Sequence, residues 1–292
     1  MLREPFLCEC FLYLARDQRV VDGRRHDVRF AVRDLPDGAP YVRCAPGSRC
    51  AAAWATLMSR LSQSSFWLET MCTITTVEKN RILDEILAAR RSNRQFRTDV
   101  PPEDMIREII HAGLLAPFAA LAVGGSGAKY FRQFFVFRRG SKSLSAAAPL
   151  VMDAVWAMSG SLKKEMEKDP AQKTRAQAFA QRLDMIISSG AVPGVGTAPY
   201  YIVVAERRGF SAVEKQSLAH CLENMWLKAT ALGLGFQIVS VTGEMSDNTK
   251  FCEILGIPAG AYELMGCAVG YAQTPLPPAV RPPPDDVTRW LA

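Results

Sequence analysis

Arg90-Arg91-Ser92-Asn93-Arg94-Gln95-Phe96 is the stretch on which the reading of this chain turns. It puts three guanidinium groups, a hydroxyl and an aromatic ring into seven residues, directly after an amphipathic run from about Glu78 to Ala89. That run carries Ile82, Leu83, Ile86 and Leu87 on one face and opens with Thr75-x-x-Glu78, a capping-box pattern. It therefore predicts a helix with a buried apolar face. The arginines fall at its C-terminal end, where cations suit the helix dipole, and a solvated helix end is one reading of them. The other is a site. Arginine offers a rigid fork that grips phosphate oxygens bidentately, whereas lysine offers only a point charge.

Downstream, Val100-Pro101-Pro102-Glu103-Asp104 breaks the chain and starts a second helix, with proline and acids in the first turn. Met105, Ile106, Ile109, Ile110 and Leu114 form its buried stripe, and it ends before Ala116-Pro117. Gly124-Gly125-Ser126-Gly127 is a flexible loop and does not match the dinucleotide fingerprint. Phe134 to Phe137 reads as a buried strand. From about Ser141 to Gly196 the chain reads as a helical insertion, broken near Asp169-Pro170 and closed by the loop Gly190 to Gly196. A mobile flap and a solvated helical insertion both fit it.

The last third alternates cleanly. Tyr200 to Ala205 is an interior strand. Ser211-x-x-Glu214 is a second capping box, opening a helix with Leu218, Leu222, Met225, Ala229 and Leu232 on one stripe and Gly233 past its end. Phe236 to Val241 is the next strand and enters the turn Thr242-Gly243. Ser246 is placed to cap a short helix through Leu255 to Gly256, and Leu264 to Tyr271 is a further strand. A proline-rich tail carrying Arg281 follows.

Residues 1 to 70 differ from the rest: they hold ten arginines and no lysine, while all ten lysines lie from Lys79 onward. Apart from a Phe6 to Leu14 patch and an Ala51 to Leu61 helix-like run, no period persists. They read as an extension of uncertain order, with a folded domain over 71–292. At 292 residues and 49% hydrophobic content the chain has ample material for a core. The net charge of +6 is mild and carries no basic run with interleaved aromatics, so nucleic acid is not an expected partner. No apolar stretch approaches the ~20 residues that span a bilayer, and the expected setting is cytoplasmic. The eight cysteines form no C-x-x-C and the three histidines no H-x-x-H, so no metal site is expected. Cys221, Cys252 and Cys267 read as small core residues.

The order of these pieces is recognisable. A helix followed by R-R-S-x-R-x-F, then V-P, a helix ending in A-P, a strand, A-P-Y-x-I-V-V, the helix E-N-M-W-L-K-A-T-A-L-G-L-G-F and a G-I-P…G-x-A-V-G-Y segment resembles the nitroreductase-like FMN-dependent oxidoreductases over about residues 77 to 292. The resemblance implies an α+β fold, a central, mostly antiparallel sheet flanked by helices. It also implies FMN held by Arg90, Ser92 and Arg94, with Arg91 in the same turn and Arg281 reaching the phosphate from near the C-terminus. Backbone groups of Ser240, Val241, Thr242 and Gly243 fall where such proteins approach flavin N5. Ala116-Pro117-Phe118-Ala119-Ala120-Leu121 departs from the family's A-P-S-x-x-N pattern, and Lys129 is a candidate charge near the pyrimidine edge. No catalytic side chain is needed, because the flavin carries the chemistry. The implied activity is hydride transfer from NADH or NADPH through FMN to a small-molecule electron acceptor of nitroaromatic or quinone type, in a homodimer to which the Ser211 to Leu232 helix contributes. A flavin-binding storage or sensing protein without turnover is the alternative, and a phosphate or nucleic-acid patch the reading without flavin.

Overall fold

The computed structural model of the chain describes residues 74–118 and 130–291, all within a unit that runs from Ile74 to Ala292. The extension expected over 1 to 70 and the loop Gly124 to Gly127 lie outside the described residues.

Strands β1 (Arg132–Arg138), β2 (Tyr200–Arg207), β3 (Gly235–Val239) and β4 (Tyr262–Gly270) form one sheet in the order β1-β2-β4-β3, with every neighbouring pair antiparallel. The unbroken apolar run of β2 demands cover on both faces, and alternate residues go to opposite sides. Tyr201, Val203 and Ala205 enter one core, which α3 (Lys142–Lys168), α4 (Pro170–Ser189) and α6 (Thr249–Leu255) close. Tyr200, Ile202 and Val204 enter a second, closed by α2 (Glu103–Leu114) and α5 (Glu214–Ala231). The result is a helix–sheet–helix sandwich of α+β type. The two helices of the second layer meet at Gly113, where a Cβ would lie 2.8 Å from Met225 Cγ. β1 is an edge strand, not an interior one, and Val136 is exposed on it.

Helix α1 (Thr76–Ala89) is capped as its sequence indicates, the Thr75 hydroxyl accepting the Glu78 N–H at 3.1 Å. Its apolar face is not buried as expected. Ile82 and Ile86 are half-buried, while Leu83 and Leu87 are 48% and 46% exposed. The helix rests mainly on α5, at the margin of the sandwich, so only one edge of its stripe is covered.

Two expected caps fall elsewhere. Helix α5 begins at Glu214 behind Val213, and the Glu214 carboxylate accepts the Gly209 N–H instead of completing a box with Ser211. Asn248, not Ser246, caps α6, accepting the Phe251 N–H at 2.9 Å. The Ser246 hydroxyl donates to the Gly243 carbonyl and accepts the Leu264 N–H at 3.1 Å, tying the turn after β3 to β4. The segment read as an insertion is a helical hairpin, broken where predicted, with Asp169 capping α4 through the Ala171 N–H at 2.8 Å. Its far end from residue 160 to 179 contains no buried residue. Its base is core: Leu144, Ala147, Val151 and Val155 of α3 and Leu183 of α4 pack beneath the sheet. Among the described residues no helix is long and apolar enough to cross a membrane.

Candidate functional site

The chain leaves α1 at Arg90, whose φ of −60° and ψ of 118° turn it from helix to extended backbone. The stretch that follows is stitched to the open edge of the sheet and to the chain beyond β4. Asn93 N–H donates to the Phe236 carbonyl at 2.9 Å, Arg97 N–H to Tyr271 and Gln273 N–H to Gln95. Gly235 allows this approach, since a Cβ there would lie 3.0 Å from Asn93 Cβ. The arginine stretch is therefore held by the sheet, not left as a frayed helix end.

Against it folds the proline-rich tail. Arg90, Arg91, Ser92 and Arg94 line one wall of a cleft of about 430 Å³, and Leu276 to Arg281 line the other. Five of the residues singled out from sequence, Arg281 included, thus meet in one place. They are not equivalent. The Arg90 guanidinium lies 4.4 Å from the centre of the Trp226 ring, and its Nε is 3.6 Å from a Glu223 carboxylate oxygen. Arg91 donates to the Pro277 carbonyl, which pins the tail, and its own carbonyl accepts the Trp226 Nε1–H at 3.3 Å. Arg281 donates to the neighbouring Val280 carbonyl. Arg94 is exposed and has no hydrogen-bond or ion-pair partner among the described residues.

A second cleft of about 420 Å³ adjoins the first, sharing Ser92, Arg94 and Leu276 with it and adding Asn93, Gln95, Arg182, Pro193 and Thr274. Among the described residues no carboxylate lines either cleft. With four guanidiniums, a serine hydroxyl and, among the described residues, no carboxylate, the first cleft fits a phosphomonoester dianion, which accepts hydrogen bonds and repels carboxylates.

The other predicted group stands apart. Ser240 to Gly243 belong to a 3₁₀ turn, Ser240–Met245, that ends β3. Neither cleft is lined by any of them. Val241 and Thr242 are buried, and the Thr242 hydroxyl is 2.7 Å from the Tyr201 phenol, whose ionisation burial pushes well up. Gly266 runs directly beside this pair, since a Cβ there would lie 2.2 Å from Thr242 Oγ1. The turn and the arginine stretch are joined by β3, which separates Phe236 from Ser240 by roughly 13 Å at about 3.3 Å per residue. Lys129 lies outside the described residues, as do Ala119 to Leu121. Phe118 is described, its ring 4.2 Å from that of Phe131.

Several contributors to this region carry no motif that would single them out along the chain. Trp226 and Glu223 are spaced as part of an ordinary amphipathic helix, and only the fold brings them under Arg90. Arg182 belongs to a hairpin without motif, and Leu276 to Val280 to a tail whose return is a tertiary event. Cys221, Cys252 and Cys267 are free and buried, as their apolar context suggests, and burial raises all three thiols.

The sequence profile of the Nitroreductase family matches residues 87–271, from the last turn of α1 to the end of β4. Among solved structures, a nitroreductase with bound FMN from Bacteroides fragilis is similar at 20% identity and a TM-score of 0.50, over 72% of this chain and 98% of that one. A nitroreductase with bound FMN from Desulfitobacterium hafniense is similar at 19% identity and 0.51, over 72% and 98%. An oxidised iodotyrosine deiodinase bound to FMN and 3-iodo-L-tyrosine is similar at 17% identity and 0.51, over 72% and 99%. At such identities the likeness is one of fold. No curated protein sequence matches the chain.

Proposed function

Since the chain belongs to the nitroreductase family, we propose that it is an FMN-dependent NAD(P)H oxidoreductase that passes hydride to a small organic acceptor of nitroaromatic or quinone type, working as a homodimer in the cytoplasm. The observation that carries this reading is the convergence of Arg90, Arg91, Ser92, Arg94 and Arg281 on one cleft that no carboxylate lines among the described residues.

In this reading Arg91, Arg94 and Arg281 hold the FMN phosphate, and Ser92 donates to it or to the polyol. Arg90 acts more indirectly, since Trp226 and Glu223 already engage it; it supplies field and fixes the floor of the cleft. FMN supplies hydride acceptance and donation at N5 and holds the added negative charge toward its pyrimidine edge. The backbone of Ser240 to Gly243, held by the Tyr201–Thr242 contact and by Ser246, offers rigid polar groups at the far end of β3. For the homodimer, the support is the uncovered edge of α1 with Leu83 and Leu87. The expected contributor, the stripe of α5, is spent on the core: Leu218, Leu222, Met225 and Ala229 are fully buried.

Anaerobic titration tests the reading. The full chain, loaded with FMN, should lose its yellow colour when NADH or NADPH is added, and recover it when a quinone follows. A flavin that binds but is not reduced by either nicotinamide leaves the storage or sensing alternative standing. No FMN binding at all refutes both.

A further inference from the structure

We propose that Arg182 is a cofactor-positioning residue which stabilises reduced flavin over oxidised flavin. This deepens the function proposed above and rests on it. Arg182 projects from α4, in a hairpin that carries none of the motifs resembling the family, yet it lines the second cleft beside Ser92, Arg94 and Gln95. The two clefts share the Ser92 and Arg94 wall. With a phosphate held in the first, the second would be left to take the polyol and the pyrimidine edge. The lining found there suits such a segment: Asn93, Gln95 and Thr274 supply amides and a hydroxyl, and Pro193 and Leu276 an apolar flank.

The charge of Arg182 is available. Among the described residues it has no hydrogen-bond or ion-pair partner. The nearest acid in sequence, Asp184, is engaged by Lys163 at 2.6 Å. The stem is also held, because Arg182 is half-buried and adjoins Leu183, which is core. The phosphate is served by the arginines of the first cleft, so a further unpaired cation in the second faces a different anionic group. Hydride transfer to N5 converts NAD(P)H to NAD(P)+ and leaves the ring with one extra negative charge. A guanidinium near the pyrimidine edge favours that charged form and has less effect on the neutral oxidised ring.

The test uses the full chain with FMN. Arg182→Met keeps the alkyl stem and removes the charge, Arg182→Lys keeps a charge, and Arg182→Gln serves if the Met variant does not fold. Dissociation constants are measured for oxidised FMN by fluorescence and for reduced FMN anaerobically, together with the midpoint potential. Arg182→Met should weaken reduced FMN about tenfold more than oxidised FMN, a drop in two-electron potential of about 30 mV, and Arg182→Lys should recover most of it. Equal binding of both redox forms by wild type and Arg182→Met, with an unchanged potential, overturns the assignment of Arg182 while leaving the parent function intact. A wild-type chain that binds no FMN overturns both.

Discussion

Arg90 and Arg94 are two residues of one motif, yet the structure assigns them different physical work, and replacing each by glutamine separates the two. Arg94 is exposed and without a partner among the described residues, so its loss removes nothing from the folded protein itself. Arg94→Gln should change stability by less than about 0.5 kcal/mol, the usual range for such a surface position. Its loss to phosphate binding is that of a charge-assisted hydrogen bond, about 1.5–3 kcal/mol, or roughly a 10- to 150-fold higher Kd for FMN. Arg90→Gln is a mixed case. It forfeits the contact with the Trp226 ring, worth about 0.5–1 kcal/mol where partly solvated, and an ion pair to Glu223 of at most about 1 kcal/mol. The apo protein should therefore lose about 0.5–2 kcal/mol, which for a unit of this size lowers Tm by about 1–8 °C. Its FMN loss should be no larger than that of Arg94→Gln. Differential scanning fluorimetry of the apo proteins gives one axis and FMN fluorescence quenching the other. Arg94→Gln with wild-type FMN affinity would remove the only unpartnered guanidinium of the motif from the cofactor and refute the reasoning.

Three further outcomes follow from packing. Arg132→Met strips the counterion from Glu206, a pair 3.1 Å apart with both side chains essentially inaccessible. It should cost about 3–5 kcal/mol in urea unfolding, with Arg132→Met/Glu206→Leu recovering most of it. Burial raises the Cys221 thiol from its ordinary 9.0 to about 11, so the native state keeps a proton that the unfolded state releases. Stability is thus complete below pH 9 and falls as pH rises from 9 toward 11, by on the order of 3 kcal/mol for this group. Cys221→Ala should flatten the alkaline limb of a Tm–pH profile, and an unchanged slope counts against the thiol. Leu83→Glu with Leu87→Glu places charges on the uncovered edge of α1 and should shift a dimer to monomer in sedimentation velocity without lowering helix content. A dimer that persists locates its interface elsewhere.

What was legible in the sequence was whatever depends on neighbours along the chain. The β2 run Tyr200 to Ala205 is apolar at every position, and only a strand covered on both faces tolerates that. The Thr75 cap and the break at Asp169-Pro170 are likewise local, and both stand. The failures are decisions that tertiary contacts made. Ser211 and Ser246 have capping chemistry, but Glu214 is taken by Gly209, and Ser246 bridges Gly243 and Leu264. Leu83 and Leu87 have the right period for burial, but period says which face is apolar and not whether this chain supplies its cover. The arginine motif could be seen, whereas the difference between Arg90 and Arg94 rests on Trp226, more than a hundred residues away.

The hairpin of α3 and α4 also couples core to site. The base of α3 is buried beneath the sheet, so α3 cannot shift without disturbing Leu144, Ala147, Val151 and Val155. The chain returns along α4, where Leu183 anchors the same core one residue after Arg182, and ends in a loop that is itself fixed: the Pro193 carbonyl accepts the Gln237 Nε2–H at 3.1 Å, and Gly194 lies where a Cβ would be 2.6 Å from Ala268 Cβ. Pro193 and Arg182 both line the second cleft, so that cleft is walled by residues whose positions the core dictates. A segment exposed at its far end, yet rigid at its base, can change the charge beside the second cleft without altering the arginine stretch. On this reading, the redox behaviour of the site is set from α4 and its grip on phosphate from the chain after α1.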